Sequence, residues 1–458
     1  MGRFLRAVFH IFTSLLFLSG SLHLLRVHSV RGLALRSLKS FAEATSAFIA
    51  LASGISVILA TRIKAPLAAL AAAAGGLLSL RYIWNVARQT AGFAECFGEN
   101  WSEQLKTCTS LPQRSNMLKR SWQWRIPPAM YEARWERDLT YHVIQPDQQQ
   151  TGQPLRCDLW HPPHEVPPSG IALIYIHGGG YFTSSKDFGT RAFFRHLACQ
   201  GHLCMDIDYR LAPQVDLFDM LSDILHAVAW MKSNAKWLGA DPHRIVLAGG
   251  SAGAHLALLA AYTNNHPRLT PLDLLESELL VSGVVSYYGI VDLEATYRSM
   301  ETFFANRRLP GAIPEQLLNH PLTRLVIEQA ARLRGVDPAS MRKYLHDNQV
   351  LLFTGLEAAW GRLLGGSPDE IPEVYKLASP INYAGPGCPP TLFFQGDHDY
   401  LLPLEPARRL HSLLRQAGAR SIYVELSQTE HTFDLFLPVY SPPAQAALYH
   451  MERFLGLL

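Results

Sequence analysis

The chain has 458 residues, about three times the ~150 of an ordinary domain, so two or three structural units are expected. Hydrophobic residues make up 48% and charged residues 17%, against a usual charged share of roughly 25%, which excludes a disordered chain and points to a segment in contact with lipid. The formal net charge of +3 is too small for the clustered basic footprint of a nucleic-acid-binding protein.

Three apolar stretches, residues 4–25, 41–60 and 65–84, each reach the ~20 residues that a membrane-spanning helix needs. The first follows Arg3 and Arg6, as a secretory signal would, but it outruns a signal core and no small-x-small cleavage site follows in register, so a retained helix is expected. The second carries only Glu43 near its start, and the third holds Gly75 and Gly76, small enough for close helix contact. Only Thr61 to Lys64 separate these two, which reads as a helical hairpin; an apolar bundle packed on a soluble domain is the competing reading. Arg26, Arg31, Arg36, Lys39, Arg81 and Arg88 fall on one side, and Arg3, Arg6, Arg62 and Lys64 on the other. Six against four places the rest of the chain in the cytoplasm by the positive-inside rule. Residues 1–90 are thus expected to be an integral membrane region, and 91–133, with Trp122, Trp124 and Arg125, a juxtamembrane connector.

Beyond this, short apolar runs alternate with helical patterns. Strands are expected near 134–144, 155–160, 171–176, 203–208, 244–249, 281–288, 391–395 and 421–426, with helices near 187–200, 217–235, 252–264, 404–417 and 441–457. Two strands without an intervening helix, then strict alternation, imply an α/β fold: an eight-stranded, mostly parallel sheet with an antiparallel beginning and helices on both faces. About a hundred mostly helical residues separate the sixth and seventh strands, more than a crossover needs, so 292–376 reads as an inserted lid in a catalytic domain spanning 134–458.

Three motifs carry chemistry. Gly249-Gly250-Ser251-Ala252-Gly253 lies between a strand and a helix, where a sharp turn would expose the Ser251 hydroxyl as a nucleophile. His177-Gly178-Gly179-Gly180 follows another strand, and glycines there free backbone N–H groups to meet a developing oxyanion: Gly178 and Gly179, joined by Ala252 after the nucleophile. A phosphate loop is disfavoured because no Lys-Ser or Lys-Thr follows. After the last two strands come Asp397-His398-Asp399 and Glu430-His431, so His431 is the candidate base and either aspartate the acid. His255, in the helix behind Ser251, reads as a packing residue. Six cysteines without a CxxC pair support neither a disulfide framework nor a zinc site, and neither metal nor cofactor is implied.

On His177–Gly180, Asp208-Tyr209-Arg210-Leu211-Ala212-Pro213, Gly249–Gly253, the Asp399 loop and His431, residues 134–458 resemble α/β-hydrolases of the hormone-sensitive-lipase and carboxylesterase type. The stretch from Ile207 to His255 is also similar to isoprenylcysteine methylesterases and to feruloyl-esterase-like and formamidase-like enzymes. The resemblance implies a serine hydrolase whose acid lies four residues before a proline, which is Asp399 before Pro403. The chain departs from the pattern at Gly250, where an Asp is common, and at Gln214-Val215-Asp216, where Glu and Phe-Pro are usual. The expected activity is hydrolysis of a lipophilic carboxylic ester arriving from the bilayer, with Phe303, Phe304, Trp360 and Leu363 of the lid lining the acyl pocket. Amide hydrolysis, acyl transfer and non-catalytic ligand binding are the alternatives. Every residue singled out for chemistry lies at or beyond His177, so the membrane region is expected to hold the enzyme at the bilayer without touching the site.

Overall fold

The structure, a computed structural model, describes residues 2–26, 33–88, 92–108, 132–145, 152–304, 321–334, 337–343 and 356–458. Its N-terminal part is three long apolar helices, α1 (Gly2–Ser21), α2 (Leu33–Arg62) and α3 (Pro66–Ala87), each long and apolar enough to cross a bilayer. Their outward faces are covered by exposed large apolar side chains, among them Phe4, Ile11, Leu15, Leu51, Ile58, Leu67 and Leu77, a surface that suits lipid rather than water. The helices meet on their small residues. A Cβ placed on Gly75 would lie 2.4 Å from the Leu16 carbonyl oxygen, and one on Gly20 would lie 2.5 Å from that of Gly75, so α1 and α3 cross backbone against backbone.

The second helix begins at Leu33, two turns before the apolar run expected to start at 41, and so takes in Arg36 and Lys39. Both cations of these two turns find partners on the domain that follows, described below. Neither is therefore a free loop charge. Arg3 and Arg6 in α1, Arg62 in α2 and Arg81 in α3 are likewise helical, so the six-against-four count is not one of loop charges.

Two short helices, α4 (Phe93–Phe97) and α5 (Trp101–Cys108), open the stretch expected to be a connector; Trp122, Trp124 and Arg125 lie outside the described residues. Then come β1 (Arg134–Ile144), β2 (Gln153–His161), β3 (Gly170–Ile176), α6 (Arg191–Ala198), β4 (Leu203–Ile207), α7 (Leu217–Leu238), β5 (Ala240–Gly250), α8 (Ala252–Tyr262) and β6 (Gly283–Tyr287). Helices α9 (Leu293–Phe304), α10 (Pro321–Arg334), α11 (Leu356–Leu364) and α12 (Pro372–Leu377) occupy the stretch read as a lid. Strand β7 (Thr391–Gly396), α13 (Leu404–Gln416), β8 (Ser421–Leu426) and α14 (Pro442–Leu457) complete the chain.

The eight strands form one sheet in the order β1-β2-β4-β3-β5-β6-β7-β8, antiparallel at β1–β2 and β2–β4 and parallel elsewhere. With its crossover helices this is an α/β-hydrolase fold. Its central strands are continuous apolar runs because both faces are covered, and side chains alternate between two cores. Ala172, Ile174 and Ile176 of β3 pack under α7 and α8, whereas Leu173 and Tyr175 face the C-terminal helix. The second core includes Tyr82, Ile83 and Val86, so the end of α3 is built into the α/β domain. At one departure from the family pattern, Asp216 caps α7, accepting the N–H groups of Phe218 (2.8 Å) and Asp219 (2.9 Å).

Candidate active site

At the end of β5 the chain reverses into α8 through Ser251, whose φ of 56° is rare for a residue with a side chain. The glycines beside it are required by contact: a Cβ on Gly253 would lie 2.1 Å from the Ile176 carbonyl oxygen, and one on Gly249 would lie 2.6 Å from the Gly253 carbonyl carbon. The turn is pinned by the Ser251 N–H on the Tyr287 carbonyl (2.9 Å) and holds Oγ 3.1 Å from His431 Nε2.

His431 Nδ1 lies 2.7 Å from Asp399 Oδ2. The other oxygen of Asp399 accepts the N–H groups of Leu401 and Leu402, both at 2.9 Å, and Gln395 Nε2 donates to Oδ2 at 2.8 Å. An ionised carboxylate only accepts, so His431 carries its proton on Nδ1 and turns the lone pair of Nε2 to Ser251. Asp397 instead accepts the Gln428 N–H just beyond β8, and burial pushes its carboxyl above the ordinary value.

The glycine loop runs against the nucleophile turn. A Cβ on Gly178 would lie 2.7 Å from the Gly250 carbonyl oxygen and 3.4 Å from Ser251 Cβ, and Gly179 has a φ of 114°. His177 anchors the loop: Tyr209 Oη donates to its carbonyl (2.9 Å), and the two rings stack at 4.5 Å. Ala252 is the first residue of α8, so its N–H has no partner inside the helix and is presented beside Ser251. His255 packs as expected, between Tyr181 Oη (3.0 Å) and the Ala378 carbonyl (2.7 Å), and burial lowers it to about 4.

Ser251, His431 and Gly178–Gly180 open onto a cavity of about 290 Å³ whose other walls include Phe182, Phe188, Met300, Ala359, Trp360, Leu402 and Leu435. Of the four lid residues expected there, Trp360 lines it. Leu363, on the next turn of α11, does not: it is buried in the core with Tyr297 and Tyr375, and Met300 and Ala359 take the lining positions. Phe303 and Phe304 end α9, and their side chains lie outside the described residues.

The structure also brings residues to the site that the sequence reading passed over. Arg36 lines the cavity, donating from Nη2 to Thr432 Oγ1 (3.2 Å) and the His431 carbonyl (3.4 Å). Lys39 Nζ lies 2.8 Å from both Glu430 Oε1 and His398 Nδ1. Burial pushes Glu430 up, and the ammonium beside it pulls it back. The signal was present: Arg36, Lys39 and Glu43 share one face at the start of an apolar helix, where an ionisable side chain is costly unless it finds a partner. Behind His431, Tyr288 packs its ring at 4.5 Å and donates to Asp434, which burial pushes up to about 6. Nothing in the local sequence announces that pair.

The BD-FAE family model matches residues 157–330 and 336–414, more than half of the chain, taking in β2 to β7, the glycine loop, the nucleophile turn and Asp399. The chain is 29% identical over 307 residues to the probable carboxylic ester hydrolase LipM of Mycobacterium tuberculosis, an alignment covering 67% of this chain and 58% of that one. It is 27% identical over 309 residues to esterase LipQ of the same organism, covering 67% and 60%. It thus spans about three fifths of the length of these curated relatives. Among solved structures, esterase Est2 of Thermogutta terrifontis is similar at 22% identity and a TM-score of 0.48, covering 73% of this chain and 95% of that one. By the extent of the family match, the chain belongs to the BD-FAE family.

Proposed function

We propose that the protein is a membrane-anchored serine ester hydrolase that cleaves a lipophilic carboxylic ester through an acyl-enzyme on Ser251. The observation that carries this reading is the unbroken line from Ser251 Oγ through His431 to Asp399, at 3.1 and 2.7 Å, beside a glycine loop. The relatives named as ester hydrolases support the ester as substrate. The apolar cavity walls and the three lipid-suited helices support its lipophilic character and the anchor.

The geometry sets the steps. Ser251 Oγ attacks the ester carbonyl as His431 Nε2 takes its proton, and Asp399 holds the imidazolium that forms. The N–H groups of Gly178, Gly179 and Ala252 receive the negative oxygen; one such donor is commonly worth about 10²–10³ in rate. His431 then protonates the departing alkoxide, and a water activated by the same nitrogen releases the acid and restores Ser251.

The test is labelling of membranes carrying the full chain with a fluorophosphonate, followed by assay on short-chain and long-chain esters. Ser251→Ala is expected to lose labelling and turnover, down to the ~10³–10⁴-fold residual over water that binding and the oxyanion donors supply. Retained labelling in that variant would sink the assignment.

A further inference from the structure

The catalytic acid and base ride on two separate loops, after β7 and β8, and the 2.7 Å contact between them exists only while the loops keep register. Each is flanked by residues that α2 touches. Lys39 reaches His398, immediately before the acid, and Glu430, immediately before the base, at 2.8 Å each. Arg36, one turn earlier on the same face, lies 4.3 Å over the ring of Tyr400, immediately after the acid, and donates to Thr432, immediately after the base. Each cation thus spans both loops, one on either side of the Asp399–His431 pair.

Lys39 is fully buried, with side-chain exposure of 0% matched by 0% at Glu430. His398 Nδ1 lies 2.8 Å from the ammonium and 3.1 Å from the Leu25 carbonyl oxygen, and its Nε2 lies 4.0 Å from Asp397. A buried ion pair of this kind is a poor source of net stability, but removing one partner strands the other charge, so it enforces a single arrangement of what it joins. From this we infer that the start of α2 belongs to the catalytic unit: Arg36 and Lys39 are positioning residues that clamp the acid and base loops in register. The inference rests on the proposed hydrolase reading and corrects the expectation of an anchor without contact to the site.

The test uses the full chain in membranes, with sites counted by exhaustive fluorophosphonate labelling and kcat expressed per labelled site on a water-soluble short-chain ester. A role confined to folding would lower the number of sites, whereas misplaced loops lower kcat per site. Lys39→Met and Arg36→Gln are each expected to lower kcat per site about 10- to 100-fold, the scale of an ångström-level misplacement, with KM changed by less than about two-fold. Lys39→Met/Glu430→Gln should be no slower than Lys39→Met, because both changes break one link. Arg36→Lys should recover part of the loss, and Arg62→Gln, at the far end of α2, should match the wild type. If Lys39→Met yields no labelled sites, Arg36→Gln decides. Wild-type kcat per site in Arg36→Gln, or a loss of sites alone, would overturn the clamp. A wild type that neither labels nor hydrolyses would overturn the hydrolase reading itself.

Discussion

Two aspartates two residues apart meet opposite fates on the loop after β7. Asp399 spends its four acceptor positions on His431, Gln395 and the N–H groups of Leu401 and Leu402, whereas Asp397 ties down the backbone beyond β8. Asp399→Asn presents an amide N–H to His431 Nδ1 or loses that contact, so kcat should fall by about 10³–10⁴, while Asp397→Asn costs far less; the reverse ranking in ester assays would move the role. Asp434 offers a second test by pH. Its carboxyl stands near 6 against an ordinary 3.8, so the folded chain holds that proton more tightly than the unfolded chain. The stabilisation is complete below about pH 4 and is lost as the pH rises through about 6. Asp434→Asn cannot ionise and still offers Tyr288 an acceptor, so its thermal stability in detergent should gain on the wild type from about pH 4 to about pH 7. Parallel curves would show that the carboxyl is not desolvated in solution.

The helices of the membrane region are ordered by where they lack side chains. Gly75 faces the α1 backbone, whereas Gly54 on α2 has nothing within 4 Å of the position its Cβ would take. Gly75→Ala should therefore force α1 off α3 and cost about 1–3 kcal/mol, while Gly54→Ala is neutral or mildly stabilising; thermal unfolding of the two variants in detergent separates them. Sheet elements were readable from the chain because central strands are unbroken apolar runs and each motif sits at a strand end, which places Ser251, Asp399 and His431 without any knowledge of packing. The start of α2 was passed over, although Arg36, Lys39 and Glu43 share a helical face. Its two extra turns hold Arg36 and Lys39, which look like loop charges until their partners are known, and those partners are more than 350 positions away in the chain. Leu363 was misplaced for a related reason: apolar residues on one amphipathic helix divide between core and cavity by the angle at which the helix lies, which periodicity alone does not fix.

At the scale of the molecule, the membrane region and the hydrolase share a core through Tyr82, Ile83 and Val86, and a clamp through Arg36 and Lys39. The intact chain should stay in the membrane pellet through high salt and carbonate, since burial in hydrocarbon is indifferent to ionic screening; carbonate release would refute a spanning hairpin. Removing residues 1–90 should abolish cleavage of a soluble ester as well as a bilayer-resident one, and a folded truncation with full activity on the soluble ester would contradict that. The arginine that lines the cavity also opens α2, so if that helix spans the bilayer as proposed, the cavity's neighbourhood is the membrane surface rather than the bulk. An enzyme so placed searches for substrate in two dimensions. Its velocity should follow the mole fraction of ester in the bilayer, and diluting the membrane with inert lipid at constant total substrate should slow it.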